Sequence, residues 1–243
     1  MTTAGHKIII NSLTVERPGA AGHPMHAYFA TPSTGDLVPG VVVVHEIFGL
    51  NQNMRDIAER FAAGGYAALA VDLFSTANRV MCIARIFHGM LIRPLTNGVV
   101  GDLRAALDHL ATLPGVDAGK LGVIGFCMGG TYALQLACVA ENLRAASVFY
   151  GQNPRPLDAL VRACPVVGSY PERDFTASAA RQLEPILEQN HIPHDIKIYP
   201  GARHSFFNDT GAAYDAEAAE DAWRRTMAFF HSHLRGVTPE STD

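Results

Sequence analysis

A doubly wound, mostly parallel β-sheet flanked by helices is the architecture that this 243-residue sequence predicts. Three observations carry it. Apolar, β-branched runs bounded by turn residues recur along the chain. Segments with helical periodicity alternate with the later runs. Several runs, such as VVVV at 41–44 and VIGF at 123–126, are apolar throughout, as burial on both faces of a helix-covered sheet requires.

The strand candidates are 7–15, 25–30, 40–46, 66–72, 120–125, 145–150, 165–170 and 195–200. The first two precede any helical pattern, so the sheet is expected to open with an antiparallel pair. Helical spacing links Met54, Ile57, Ala58 and Phe61, then Leu103, Ala106, Leu107 and Leu110, then Ala219, Ala222, Trp223, Met227 and Phe230. Pro185 interrupts a further pattern over 178–189; lacking an N–H, it either starts that helix or kinks it. Residues 74–98 have no clear period and are long for a βα connection, which suggests a cap or lid loop. The polar tail, 236–243, is expected to fray.

With 48% apolar side chains, the chain can bury one large core, and a single domain over 1–243 is expected. A net charge of -4 without any Lys/Arg block excludes the electrostatic footprint of a nucleic-acid binder. The start, MTTAGHKIII, is not a secretory signal, and no run of apolar residues is long enough to span a bilayer. A soluble, cytoplasmic protein with no membrane partner is expected. The four cysteines, Cys82, Cys127, Cys138 and Cys164, form no C-x-x-C pair and read as reduced thiols.

One thiol stands apart. The candidate strand KLGVIG runs into GFCMGG and then an apolar helical stretch, the pattern of a G-x-nucleophile-x-G turn with cysteine at its centre. Such a turn must reverse sharply, so Gly125 and Gly129 are needed where strand and helix pack closely. Cys127 then sits at a helix N-terminus, where the positive end of the dipole favours thiolate. In this architecture, the α/β-hydrolase fold, an acid and a histidine follow the nucleophile on loops after later strands. Asp174 follows the strand PVVGSY and His204 follows DIKIYP. Asp174 could instead cap a helix, and His204 taken alone reads as a surface loop residue. Jointly they complete a Cys-His-Asp triad.

The run VVVVHEIFGLN ends another strand. His45-Glu46 begins like a zinc-binding H-E-x-x-H, but the second histidine would fall at Gly49, so no metal is implied. The loop after this strand is expected to offer the Ile47 N–H to a developing oxyanion, with Met128 N–H as the second donor. Glu46 sits at the mouth of an apolar strand and needs a partner, for which a thiol would serve, unless it is a solvated acid or an ion-pair partner.

The residues HEIFG, AVDLF, GVIGFCMGG, VVGSYPERD and YPGARHSFF, in this order, resemble the dienelactone hydrolase (carboxymethylenebutenolidase) family over nearly the whole chain. The resemblance implies a cofactor-free enzyme, monomeric or weakly dimeric, acting on a small ester or lactone. It implies Cys127 as nucleophile, His204 as base, Asp174 as its orienting acid and Glu46 as the residue that holds the resting thiol. Two arginines that grip a substrate carboxylate in the family are replaced here by Thr76 and Asn208. Arg79, Arg85 and Arg203 are candidate substitutes, with Asn208 itself a candidate substrate contact. The competing readings are a generalist carboxylesterase or thioesterase on neutral esters, a non-catalytic binding domain and a thiol redox sensor.

Overall fold

The computed structural model describes residues 7–17, 23–75, 79–92 and 95–236. The chain divides into two compact units, Met1–Leu121 and Gly122–Asp243, with the boundary inside one strand. Of the tail 236–243, all but Gly236 lies outside the described residues, as does Thr76.

The first unit carries β1 (Ile8–Val15), β2 (Met25–Pro32), β3 (Val38–Val44), α1 (Gln52–Ala63), β4 (Ala67–Val71), α2 (Arg79–Ile92), α3 (Gly98–Thr112) and the start of β5 (Val116–Phe126). β1 pairs antiparallel with β2, β2 antiparallel with β4, and β4 parallel with β3. β1 is exposed along most of its length, whereas every residue of β3 and β4 is buried. That gradient is the difference between an edge strand and strands covered on both faces.

α1 begins where the Asn51 side chain accepts a hydrogen bond from Met54 N at 3.2 Å. It buries Met54, Ile57, Ala58 and Phe61, the stripe expected from the sequence. The segment 74–98, expected as a loop, contains α2. α3 starts at an Asn97 cap on the N–H groups of Val99 and Val100 and buries Leu103, Ala106, Leu107 and Leu110. It also buries Asp102, which accepts from Arg17 at 2.7 Å and Arg85 at 2.8 Å.

The second unit takes up β5 and adds α4 (Met128–Ala137), β6 (Leu143–Phe149), β7 (Val166–Arg173), α5 (Ala177–Gln189), β8 (His194–Arg203) and α6 (Ala216–Arg235). β6, β7 and β8 pair parallel in sequence order. Pro185 lies within α5, which starts eight residues earlier at Ala177. Pro185 and Arg181, whose carbonyl loses its helical donor, are both exposed, so water can serve that carbonyl. α6 starts at Asp215, whose side chain accepts from Ala218 N at 3.1 Å, and ends at Gly236 in the left-handed region.

β7 and β8 continue past their apolar runs, because ladder pairing persists as far as Arg173 opposite Arg203. An irregularity between Pro171 and Arg173 sets that final register. The next residues of the two strands, Asp174 and His204, therefore leave neighbouring strand ends together.

Candidate active site

Cys127 connects β5 to α4 with φ 56° and ψ -117°, a backbone conformation costly for any residue with a Cβ. Three glycines permit it. A Cβ on Gly125 would lie 2.0 Å from Gly129 O, one on Gly130 2.5 Å from Phe149 O, and one on Gly151 2.5 Å from the Gly130 carbonyl carbon. The sequence pointed to Gly125 and Gly129; the close approach is seen at Gly125 and also at Gly130 and Gly151, the last from a different loop. Backbone bonds fasten the turn: Cys127 N donates to Phe149 O at 3.0 Å and Thr131 N to Cys127 O at 3.1 Å. Thr131 Oγ1 accepts from Gln152 N at 2.9 Å. Cys127 is partly exposed, and Met128 is buried as the first residue of α4.

His204 Nδ1 lies 2.7 Å from Asp174 Oδ2, with the Asp174 side chain 5% and the His204 side chain 29% exposed. The Thr176 hydroxyl donates to the same carboxylate oxygen. Asp174 is not the cap of α5; Thr176 holds that position, without a side-chain cap bond. Backbone geometry around His204 is also specific, since Ser205 adopts φ 63°.

His204 and the Cys127 turn rest on one aromatic cluster. Phe126, the last residue of β5, stacks on Phe207 with ring centroids 5.2 Å apart, and Phe149 meets Phe207 at 4.7 Å. Tyr150, itself at φ 41°, packs its ring 5.0 Å from His204 and 5.5 Å from Phe206. Thus residue 149 holds Cys127 through its carbonyl and residue 150 holds His204 through its ring. Phe175 lies against His204 in a near-parallel stack, 5.5 Å between centroids and 15° between planes. Tyr150, Phe175 and Thr131 carried no signal in the sequence, because each acts through a contact rather than a motif.

Glu46 and Ile47 belong to the first unit, just after β3. Glu46 is buried, which rules out the solvated loop acid; Ile47 is partly exposed. The neighbouring His45 is fully buried: its Nε2 accepts from Leu73 N at 3.0 Å and its Nδ1 faces Glu46 O at 2.5 Å. A backbone N–H can only donate, so the ring is neutral with its proton on Nδ1. It ties the loop after β3 to the loop after β4, a structural role for the half-motif that resembled a zinc site. Among the described residues no group of three His, Cys, Asp or Glu could hold a metal ion.

The substrate-binding candidates fare differently. Arg85 is committed to buried Asp102, and Arg203 donates to Ala212 O at 2.7 Å. Asn208 is buried and its amide oxygen accepts from Thr210 N at 3.1 Å and Thr210 Oγ1 at 2.7 Å, which closes the turn after the histidine. Arg79 opens α2, but its side chain lies outside the described residues.

The Dienelactone hydrolase family model matches residues 25–234. The chain belongs to this family. A Saccharolobus solfataricus protein named "putative carboxymethylenebutenolidase" is 34% identical, covering 86% of this chain and 94% of its own length. A Klebsiella pneumoniae structure titled as a "putative dienelactone hydrolase" is 30% identical with a TM-score of 0.79, over 92% of this chain and 98% of that one. A dienelactone hydrolase-like promiscuous phosphotriesterase from metagenomic libraries is 26% identical with a TM-score of 0.81, over 93% of this chain and 99% of its own. Membership makes this dienelactone hydrolase relative an α/β-hydrolase of the ester- and lactone-cleaving class, acting on small molecules. No described helix is long and apolar enough to cross a membrane.

Proposed function

We propose that the protein cleaves ester or lactone bonds through a Cys127, His204 and Asp174 triad and an acyl-enzyme. The observation that carries this reading is the Asp174–His204 pair at 2.7 Å, on strand ends brought level by the β7/β8 register. The strained turn at Cys127 supports it. Asp174 accepts the Nδ1 proton of His204 and so leaves Nε2 as the basic nitrogen. His204 Nε2 takes the thiol proton, and the Cys127 sulfur forms a bond to the substrate carbonyl carbon. The carbonyl π bond opens to an oxyanion, for which Met128 N–H, at the start of α4, and Ile47 N–H are the proposed donors. Collapse re-forms the carbonyl, breaks the C–O bond and returns the proton from His204 to the leaving oxygen. Water, deprotonated by His204, then attacks the thioester; the acid departs and the thiol is restored. Glu46 is proposed to hold the resting thiol.

A second reading, a generalist esterase on neutral esters, is favoured by one observation: Arg85 already pairs with Asp102, and Arg203 with the Ala212 carbonyl.

The test is hydrolysis of a carboxylated dienelactone beside a neutral aryl ester, by absorbance, for the wild type, Cys127→Ala and Asp174→Asn. Loss of both activities in Cys127→Ala is expected, with Asp174→Asn reducing kcat about 10⁴-fold by presenting the wrong tautomer. Activity retained in Cys127→Ala would overturn the nucleophile. A lactone-to-ester preference in the wild type supports the dienelactone reading, and turnover of the neutral ester alone supports the second.

A further inference from the structure

The loop after β7 carries a feature that the triad does not need. Phe175 follows Asp174 directly, yet its side chain points the other way: Asp174 is nearly covered, whereas Phe175 is 68% exposed. Its ring is not an isolated surface apolar group. It lies near-parallel to and offset from the His204 imidazole, 5.5 Å between centroids and 15° between planes. Tyr150 covers His204 at 5.0 Å from another direction and is fully buried, so it has no surface left to offer. Of the two rings that contact His204, only Phe175 has exposed apolar surface.

We infer that Phe175 is a specificity-determining residue that seats an uncharged, apolar leaving group beside His204. The inference rests on the triad reading. A base that first takes the thiol proton and then returns it to the leaving oxygen must lie close to both, so a ring stacked on that base borders the leaving group rather than the far end of the acyl chain. An exposed aromatic face gains by covering apolar surface and offers a carboxylate nothing. Of the two arginines nearest in sequence, Arg203 is turned to Ala212 O, while Arg173 is exposed at the end of β7, so a carboxylated ester belongs in the test.

Methyl, benzyl and 4-carboxybenzyl acetate form one acetyl-enzyme, so differences in kcat/KM among them report acylation and leaving-group contact alone. Their intrinsic reactivities cancel when a variant is divided by the wild type. Phe175→Ala is expected to lower the benzyl-to-methyl ratio of kcat/KM about 10-fold. The methyl acetate rate and its pH profile should stay within about 3-fold and Phe175→Leu should retain much of the ratio. In the wild type, 4-carboxybenzyl acetate should be no better a substrate than benzyl acetate. The inference is overturned if both esters lose activity together, which would make Phe175 a positioning residue for His204. It is equally overturned if the ratio is unchanged, or if the carboxylated ester is preferred 10-fold. Cys127→Ala, run alongside, separates the two claims: hydrolysis surviving in that variant defeats the triad, while the Phe175 ratio is read from the wild-type nucleophile.

Discussion

Gly125→Ala tests the nucleophile turn at its tightest point. The added Cβ would meet Gly129 O at 2.0 Å, Gly129 C at 2.4 Å and Gly130 N at 2.8 Å. Ordinary van der Waals contact begins near 3.4 Å, so the oxygen must retreat by about 1.4 Å and the carbon by about 1.0 Å (3.4 minus 2.0 and 3.4 minus 2.4). All three atoms are backbone in the first turn of α4, and no rotamer change can relieve them. Accommodating such a shift through bond angles costs about 4 kcal/mol for each 15° distortion, out of a total stability of about 5–15 kcal/mol. The displaced atoms belong to the turn that aims Cys127, and a 1 Å misplacement costs roughly 10²-fold in rate. Urea unfolding and aryl ester hydrolysis should therefore show a loss of about 4 kcal/mol or more and, in whatever protein folds, a kcat lower by about 10²-fold. A variant within 1 kcal/mol of the wild type, with kcat within about 3-fold, would refute the claim that close backbone approach dictates this glycine.

Asp102→Asn should destabilise the fold by about 3–5 kcal/mol in urea unfolding, because among the described residues it removes the only carboxylate paired with the fully buried Arg17 side chain. Iodoacetamide at pH 8 should alkylate Cys127 well before Cys138 or Cys164, as read by peptide mass spectrometry; burial pushes the Cys138 thiol up to about 12 and raises the Cys164 thiol as well. Asp221 accepts from Lys197 at 2.7 Å and Tyr199 at 2.9 Å, and the Lys197 bond is the leading cause that holds its carboxyl below the ordinary 3.8. Its contribution to stability is present above the unfolded-state value and lost as pH falls through the lower folded-state value, so Asp221→Asn should flatten the acid limb of a thermal-melting profile below about pH 4 and leave its slope near neutrality unchanged.

The strands were legible as short apolar or alternating runs closed by turn residues, and β3, with its VVVV run, is the least ambiguous of all. α2 was not, since RVMCIARIFHGMLI is apolar on too many positions for a 3.6-residue stripe to stand out. Pro185 does not start α5, and on an exposed face the cost of its missing N–H falls to an exchange with water. The ends of β7 and β8 were underestimated because ladder pairing continues through Arg173 and Arg203, which no hydropathy pattern marks. Within the candidate site, chain order sufficed to pair Asp174 with His204. The arginines were a different problem. Sequence supplies the charge, but only the fold reveals that Asp102 and the Ala212 carbonyl have already claimed Arg85 and Arg203.

Residues 174–176 divide three tasks among three consecutive side chains. Asp174 turns inward to the imidazole, Phe175 outward over its face, and Thr176 back to fasten the carboxylate. Neighbouring residues thus supply the hydrogen-bond partner and the outer surface of one histidine without sharing a side chain. A mutagenesis library confined to residue 175 would therefore vary the apolar cover of His204 while the Asp174 and Thr176 contacts stay in place.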